Sequence, residues 1–217
     1  MTISRRMKAQ DLPPVVPVFA VSGAILLPGG TMPLMVFEPR YLALTDDALG
    51  AGRLFAMVQP REDESGVASG LFDTGSLGRI TAFGETGDGR YLVTVAGICR
   101  FRVAGEVEGR SGYRRVKADY SGFLPDLDLA DIGPIDRRPL LAIVRTYLGG
   151  LGMAADLAQL EKANDAELAI RLAMACPFTP VEKQALLEAS DHAERCRMMT
   201  AMIQKELLAD SCSTSIH

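Results

Sequence analysis

Two side chains able to bind a metal or move a proton stand four residues apart near the C-terminus, His192 and Cys196. On a helix that spacing places them on one face. There they offer either two metal ligands or a thiol beside its base. A metal needs more ligands than these, and the only other histidine is His217, at the end of the chain. A thiol nucleophile needs an orienting group and an oxyanion hole, and no serine-nucleophile G-x-S-x-G elbow is present either. The expectation is therefore that Cys196 packs and that His192 sits in the first turn of its helix near Glu188 and Asp191. A cysteine or metal hydrolase built on Cys196 and His192 is the enzyme alternative.

Nucleotide chemistry is excluded more directly. A phosphate-cradling loop needs a Gly-Lys pair, and none of the five lysines (Lys8, Lys117, Lys162, Lys183, Lys205) follows a glycine. Gly87-Asp88-Gly89 opens a partial G-x-G-x-x-G, but Leu92 takes the sixth position and the glycines lie between two strand-like runs, so a hairpin turn is expected. The acidic clusters read as solvated chain. Glu62-Asp63-Glu64 lies between Pro60-Arg61 and Ser65-Gly66, a loop composition. Asp126, Asp128 and Asp131 imitate a calcium loop, yet Ala130 occupies a ligand position, and a linker is expected instead. Asp46 and Asp47 are expected to face water near the end of a first helix. No metal site and no cofactor is expected.

Nucleic acid is disfavoured by charge. The net charge is −4; residues 1–125 carry 14 basic side chains against 13 acidic, and residues 126–217 carry 9 against 14. Arg100, Arg102, Arg110, Arg114, Arg115 and Lys117 lie on neighbouring strands, where Glu106, Glu108 and Asp119 are expected to balance them as a solvated face. There is no tryptophan and aromatic residues are 6% of the chain, which leaves few platforms for stacking bases.

Cys99, Cys176, Cys196 and Cys212 form no CxxC pair and are expected to be free thiols in a reducing cytoplasm. Residues 12–37 carry no charge, but five prolines and three glycines rule out a membrane helix there. Ser4-Arg5-Arg6 imitates a twin-arginine signal, but Lys8 and Asp11 stand where the apolar part would begin. A cytoplasmic protein without a membrane partner is expected.

The elements that must position these residues divide the chain. Apolar runs at 15–21, 34–37 and 54–58, strand-like segments at 78–83 and 90–96, and a closing run at 113–120 predict short strands with glycine-rich turns, favouring a closed or nearly closed sheet. A bulge or sharp bend is expected at Gly97; beyond it Arg100 and Arg102 alternate with Phe101 and Val103. One helix interrupts the strands after Pro39, carrying Tyr41, Leu42, Leu44 and Leu49. After Asp136 the pattern is helical. Asn164 with Glu167 reads as an N-cap with a capping-box partner; Thr179-Pro180-Val181-Glu182 reads as cap, first-turn proline and box glutamate. A last helix places Cys196, Met199, Ile203 and Leu207 on one face. The expected class is α+β, with a mainly β subdomain over 1–125 and a helical subdomain over 126–217.

Pro17-Val18-Phe19 with Pro28-Gly29-Gly30, then Pro33-Leu34 and Phe37-Glu38-Pro39-Arg40-Tyr41, resembles the opening of the Lon protease N-terminal domain. Asp88-Gly89-Arg90 and Val95-Ala96-Gly97 running into Arg100-Phe101-Arg102 resemble its later hairpin, and Lys183 to Glu188 its closing helical segment. The likeness covers roughly residues 14–210. It implies a PUA-like β pseudo-barrel joined to a helical bundle, and a domain that engages substrates without doing chemistry. No segment resembles that family's ATPase module or Ser-Lys peptidase, so a non-catalytic polypeptide-binding module is expected, with an adaptor role in protein quality control. Its expected partners are unfolded or peptide segments of client proteins, with a protease or ATPase as a further partner and a homodimer left open. An RNA-binding PUA-like module is the alternative.

Candidate contact residues are Glu38 and Arg40, which flank a proline at a strand–helix junction, and Met198 and Met202 of the last helix. The carboxylate and guanidinium are expected to fix that junction, with Tyr41 packing between the β and helical parts. Met198 and Met199 point about 100° apart on a helix, so both cannot face one core; a flexible thioether is then left for an adaptable groove. The other route to a peptide is an exposed strand edge.

Overall fold

A computed structural model describes residues 7–62, 68–128, 135–153 and 162–214. The acidic pair Asp63-Glu64, Ser4-Arg5-Arg6, Ala130, Asp131 and His217 lie outside the described residues, as does the side chain of Cys212. The chain forms two compact units, Met1–Leu129 and Ala130–His217.

The first unit is built on strands β1 (Val15–Ala20), β2 (Thr31–Val36), β3 (Leu54–Val58), β4 (Pro60–Glu62), β5 (Ala68–Leu71), β6 (Thr74–Glu85), β7 (Tyr91–Arg110) and β8 (Tyr113–Asp119), with helix α1 (Pro39–Gly50) between β2 and β3. The main sheet runs β2-β7-β6-β3-β1-β8, and β8 also pairs with β7, which closes the last five strands into a barrel. Among the described strands only β1 and β3 run parallel, with Val18 opposite Ala56, because β2 and α1 carry the chain back between them. β4 and β5 form a separate hairpin. Val16, Val18, Ala56, Val58, Leu77, Cys99, Phe101 and Val116 fill the barrel. The expected hairpin turn is present: Gly89 takes φ +80°, and the Thr86 N–H donates to the Arg90 carbonyl at 2.8 Å.

β7 is the longest strand and carries the expected bend. Leu77 pairs with Cys99 but Gly78 pairs with Gly97, leaving Ile98 as an extra residue. A Cβ on Gly97 would lie 2.1 Å from the Leu27 carbonyl oxygen, so only glycine allows the 25–30 loop to lie against the bend. Gly97 both donates to Gly30 (2.9 Å) and accepts from Gly29 (3.1 Å).

Arg100 departs from the expected solvated face. Its side chain is 9% exposed and that of Asp126 11%. The carboxylate accepts from the Arg100 backbone N–H, Nε and Nη2, each at 2.9 Å. Asp126 belongs to a short 3-10 turn, Leu124–Leu127, so the segment expected to be a free linker is pinned to β7. The guanidinium also lies 4.9 Å over the Phe123 ring. Asp46 is exposed, as expected, whereas Asp47 is half-buried. Asp47 accepts from the Tyr113 hydroxyl (2.6 Å) and pairs with Arg110, and Asp46 is hydrogen-bonded to Tyr91.

The second unit contains α2 (Arg137–Gly150), α3 (Asp165–Ala175), α4 (Pro180–Glu188) and α5 (His192–Thr214). Thr179 and Glu182 make the full reciprocal capping box. Asn164 caps α3 by accepting from the Glu167 N–H, but the Glu167 carboxylate turns to Arg171 instead of closing the box. Two buried cations, not singled out by sequence pattern, satisfy helix ends. Lys183 Nζ donates to the Ala173 and Met174 carbonyls (2.8 and 2.6 Å) at the end of α3, and Arg195 Nε donates to the Leu186 carbonyl (2.8 Å) in the last turn of α4. Each cation sits at the negative end of the preceding helix, where its charge is favoured.

Removing one partner of the Arg100–Asp126 pair leaves a buried charge uncompensated. Arg100→Met is expected to lower unfolding stability by about 3–5 kcal/mol in urea titration, whereas Arg114→Met, on an exposed pair, costs less than about 1 kcal/mol. Equal losses for the two variants would remove the Arg100 pair from its structural role.

Candidate functional site

The bulges on β6 and β7 decide which face of the first unit meets water. Paired residues share a face, and an extra residue reverses the alternation beyond it. Leu77, Cys99 and Phe101 face the barrel interior; past the bulge at Ile98, that same face continues through Ala96, Thr94 and Leu92. A second register shift between Ile80 and Ala82 keeps Ala82 and Gly84 on it, and pairing with β2 adds Thr31, Pro33 and Met35. The interior face of the barrel thus emerges outside it. The opposite face does the reverse, burying Ile80, Val93, Val95 and Val36.

The emerging face is apolar and open. Met35 is 52% exposed and Leu92, paired with it, 48%; Phe37, two residues past Met35, is 62% exposed. Gly84, opposite Leu92, has nothing within 4 Å of the position a Cβ would take, which leaves a gap beside that leucine. Arg90 borders the patch, its Nη1 lying 3.6 Å from the Met35 sulfur and its Nε pairing with Asp88. β2 is the end strand of its sheet, with β7 as its only strand neighbour among the described residues. Adjacent exposed apolar side chains beside an open strand edge mark an interaction surface.

Glu38 and Arg40 stand at the border of this surface, at the start of α1. They pair with each other (Nε to Oε2, 2.9 Å), and the guanidinium lies 4.5 Å over the Tyr41 ring. Tyr41 belongs within the β unit: its ring stacks on Phe19 at 4.1 Å, and its hydroxyl donates to the Ala20 carbonyl (2.8 Å) and accepts from the Ala20 N–H (3.2 Å). Those two hydrogen bonds and the stack fix Tyr41 to β1. In the helical unit, Met198 and Met202 are half-buried on α5 and Met199 is fully buried.

The Cys196–His192 pair is not arranged for catalysis. Cys196 is buried, and burial pushes its thiol up to about 11, away from the thiolate a nucleophile needs. The His192 Nδ1 faces the Arg195 guanidinium at 3.1 Å. Among the described residues no three His, Cys, Asp or Glu side chains gather as a metal site. The basic ribbon is divided too: Arg100 is buried on Asp126, Arg114 pairs with Glu106, whose carboxyl that guanidinium holds below its ordinary range, and Arg110 pairs with Asp47. No helix among the described residues is long and apolar enough to cross a membrane.

Comparison with known proteins adds a family. The model of the ATP-dependent protease La (LON) substrate-binding domain matches residues 15–205. Lon protease 2 of Myxococcus xanthus is 26% identical over 91% of this chain and 24% of its own length; Lon protease 2 of Thermus thermophilus is 30% identical over 90% and 25%. The chain thus spans about a quarter of these curated relatives. The crystal structure of a Lon N-terminal domain protein from Xanthomonas campestris superposes with a TM-score of 0.61 at 23% identity, covering 86% of this chain and 97% of that one. The N-terminal domain of Mycobacterium avium complex Lon protease gives 0.56 at 20%, covering 88% and 98%. Both show a shared fold.

Thiol chemistry gives a pH prediction with a definite sign. Burial raises Cys99 to about 12 and Cys176 and Cys196 to about 11. The folded state then holds protons that the unfolded thiols, at about 8.5, have lost, so stability is complete below about pH 8.5 and declines as pH rises toward these values. Lys183, lowered by burial to about 8, opposes this as one amine against three thiols. The melting temperature is expected to fall between pH 8.5 and 10.5. In a Cys212→Ser variant, thiol titration with Ellman's reagent at pH 8 is expected to proceed only as the protein unfolds; a fast-reacting Cys196 would restore the nucleophile reading.

Proposed function

The chain belongs to the ATP-dependent protease La (LON) substrate-binding domain family, and from that premise we propose that it captures unfolded polypeptide segments through the apolar face of β2, β6 and β7. The observation that carries this reading is the exposed patch of Met35, Phe37 and Leu92, continuous with the barrel's own interior face. Thioether and aromatic side chains at the edge of a rigid sheet adapt to varied apolar clients while the scaffold stays fixed. A folded protein hides its apolar side chains, and an unfolded one presents them, so this surface selects by folding state.

Among the described residues no three His, Cys, Asp or Glu side chains gather as a metal site, and burial holds the Cys196 thiol protonated, which suits a binding role without catalysis. The relatives matched are Lon proteases. That likeness supports a role in passing captured clients to a protease or ATPase in the cytoplasm, where the free thiols Cys99, Cys176 and Cys196 stay reduced. Glu38 and Arg40 hold the α1 start beside Phe37, and Met198 and Met202 offer a second, smaller apolar contact in the helical unit.

The absence of tryptophan makes the test direct. An unfolded, tryptophan-containing client is expected to gain anisotropy on titration with this protein, saturably and alike at low and high salt, while the same client folded gives no change. Leu92→Glu places a charge in the patch and is expected to weaken capture at least about tenfold with the melting temperature unchanged. Undiminished capture by that variant, or steep loss with salt, would overturn the reading.

A further inference from the structure

The direction of the backbone groups along β2 follows from bonds made by β7. Gly97 donates to Gly30 and accepts from Gly29, both on the β2 side of β7. Thr94 and Arg90 turn their carbonyls the other way, to the Thr81 hydroxyl (3.1 Å) and the Thr86 N–H (2.8 Å) on the β6 side. Backbone groups alternate along a strand, so Tyr91, Val93 and Val95 bond to their β2 partners Val36, Leu34 and Met32. The remaining residues of β2, Thr31, Pro33 and Met35, direct their N–H and C=O groups to the open edge. Their side chains are the exposed ones.

Resting on the substrate-capture reading above, we propose that a client segment adds to this edge as an extended strand, and that Pro33 selects a foreign strand over a second copy of the chain. The edge offers N–H groups at Thr31 and Met35 and carbonyls at Thr31, Pro33 and Met35. An antiparallel client makes paired bonds with Thr31 and Met35 and donates one N–H to Pro33, leaving only its own carbonyl there unmatched. A second β2 in the same arrangement sets Thr31 against Met35 and Pro33 against Pro33, where two carbonyls meet with no donor between them. Proline therefore guards the edge against self-association while still accepting an ordinary peptide.

The bound strand also inherits the face. Client residues opposite Thr31, Pro33 and Met35 place their side chains beside the Met35–Leu92 patch, which favours apolar residues at alternate positions. Arg79 stands opposite Ala96 on this face, and among the described residues its Nε has no hydrogen-bond partner. An acidic residue in the segment is thus favoured over a basic one.

The probe is a synthetic peptide of about nine residues alternating valine and threonine, with one glutamate and a terminal tryptophan. Binding is expected to slow amide exchange at Thr31 and Met35 by at least about tenfold, with little change at Met32, Leu34 and Val36, already bonded within the sheet. Met35→Pro removes a donor that β7 does not use, and is expected to weaken the peptide at least about tenfold without changing the fold. Pro33→Val restores a donor and is expected to tighten the peptide and to produce concentration-dependent dimers. If the peptide binds but Thr31 and Met35 exchange as before and both variants bind alike, strand addition is overturned and capture by the face survives. If neither the peptide nor an unfolded client binds, both readings fall.

Discussion

The bend in β7 is the constraint on which the first unit depends. One strand of this length cannot serve both a closed barrel and a flanking three-stranded lobe unless its alternation is reset, and the extra residue at Ile98 resets it. The reset requires the 25–30 loop to come against the backbone at Gly97, a contact closer than any Cβ allows. From that one approach follow the inward face of Cys99 and Phe101, the outward face of Leu92 and Met35, and the second core of Ile80, Val93 and Val95. The fold and its exposed apolar surface share this origin, because the face open to water at Leu92 and Met35 is the barrel interior carried past its own rim.

Buried cations supply the second theme. Arg100 meets a carboxylate, and Lys183 and Arg195 meet helix-end carbonyls. In each case the charge is desolvated and then satisfied by oxygen acceptors at short range, which makes the partner necessary to the side chain rather than an addition to stability. Burial draws Lys183 down to about 8, so the amine stays largely protonated near neutrality and continues to donate. Used in this way, the cations join consecutive segments: the exit turn to β7, α4 to α3, and α5 to α4.

A substrate-binding surface has to be apolar yet must not bind its own kind. The exposed thioether and leucine occupy the end of a sheet whose outer strand carries a proline among its edge-facing residues, and an arginine packs along the thioether. In the edge pairing proposed above, these features limit pairing between copies without hiding the apolar face. The arrangement fits a family matched through a substrate-binding domain, and in the recognition proposed here main chain and shape count for more than charge.

Much of the local structure was legible in residue order because its causes are local. The Thr179 capping box, the turn at Gly87–Gly89, the helix after Pro39 and the division into strand-rich and helical parts all follow from propensities and hydrogen bonds spanning a few residues. The bend at Gly97 was legible as a bend, but the carbonyl of Leu27 that demands it lies seventy positions away in the chain. Long-range partnership was hidden for the same reason: nothing near Arg100 announces Asp126, nothing near Lys183 announces the end of α3, and Tyr41 finds its partners on β1. Alternation alone assigns Leu92 and Phe101 no common face, since the bulge at Ile98 must be counted first and it is defined only by the strand opposite. Composition and local pattern therefore determine the elements and their class, whereas the burial of a charge and the exposure of a core face arise from packing between segments distant in sequence.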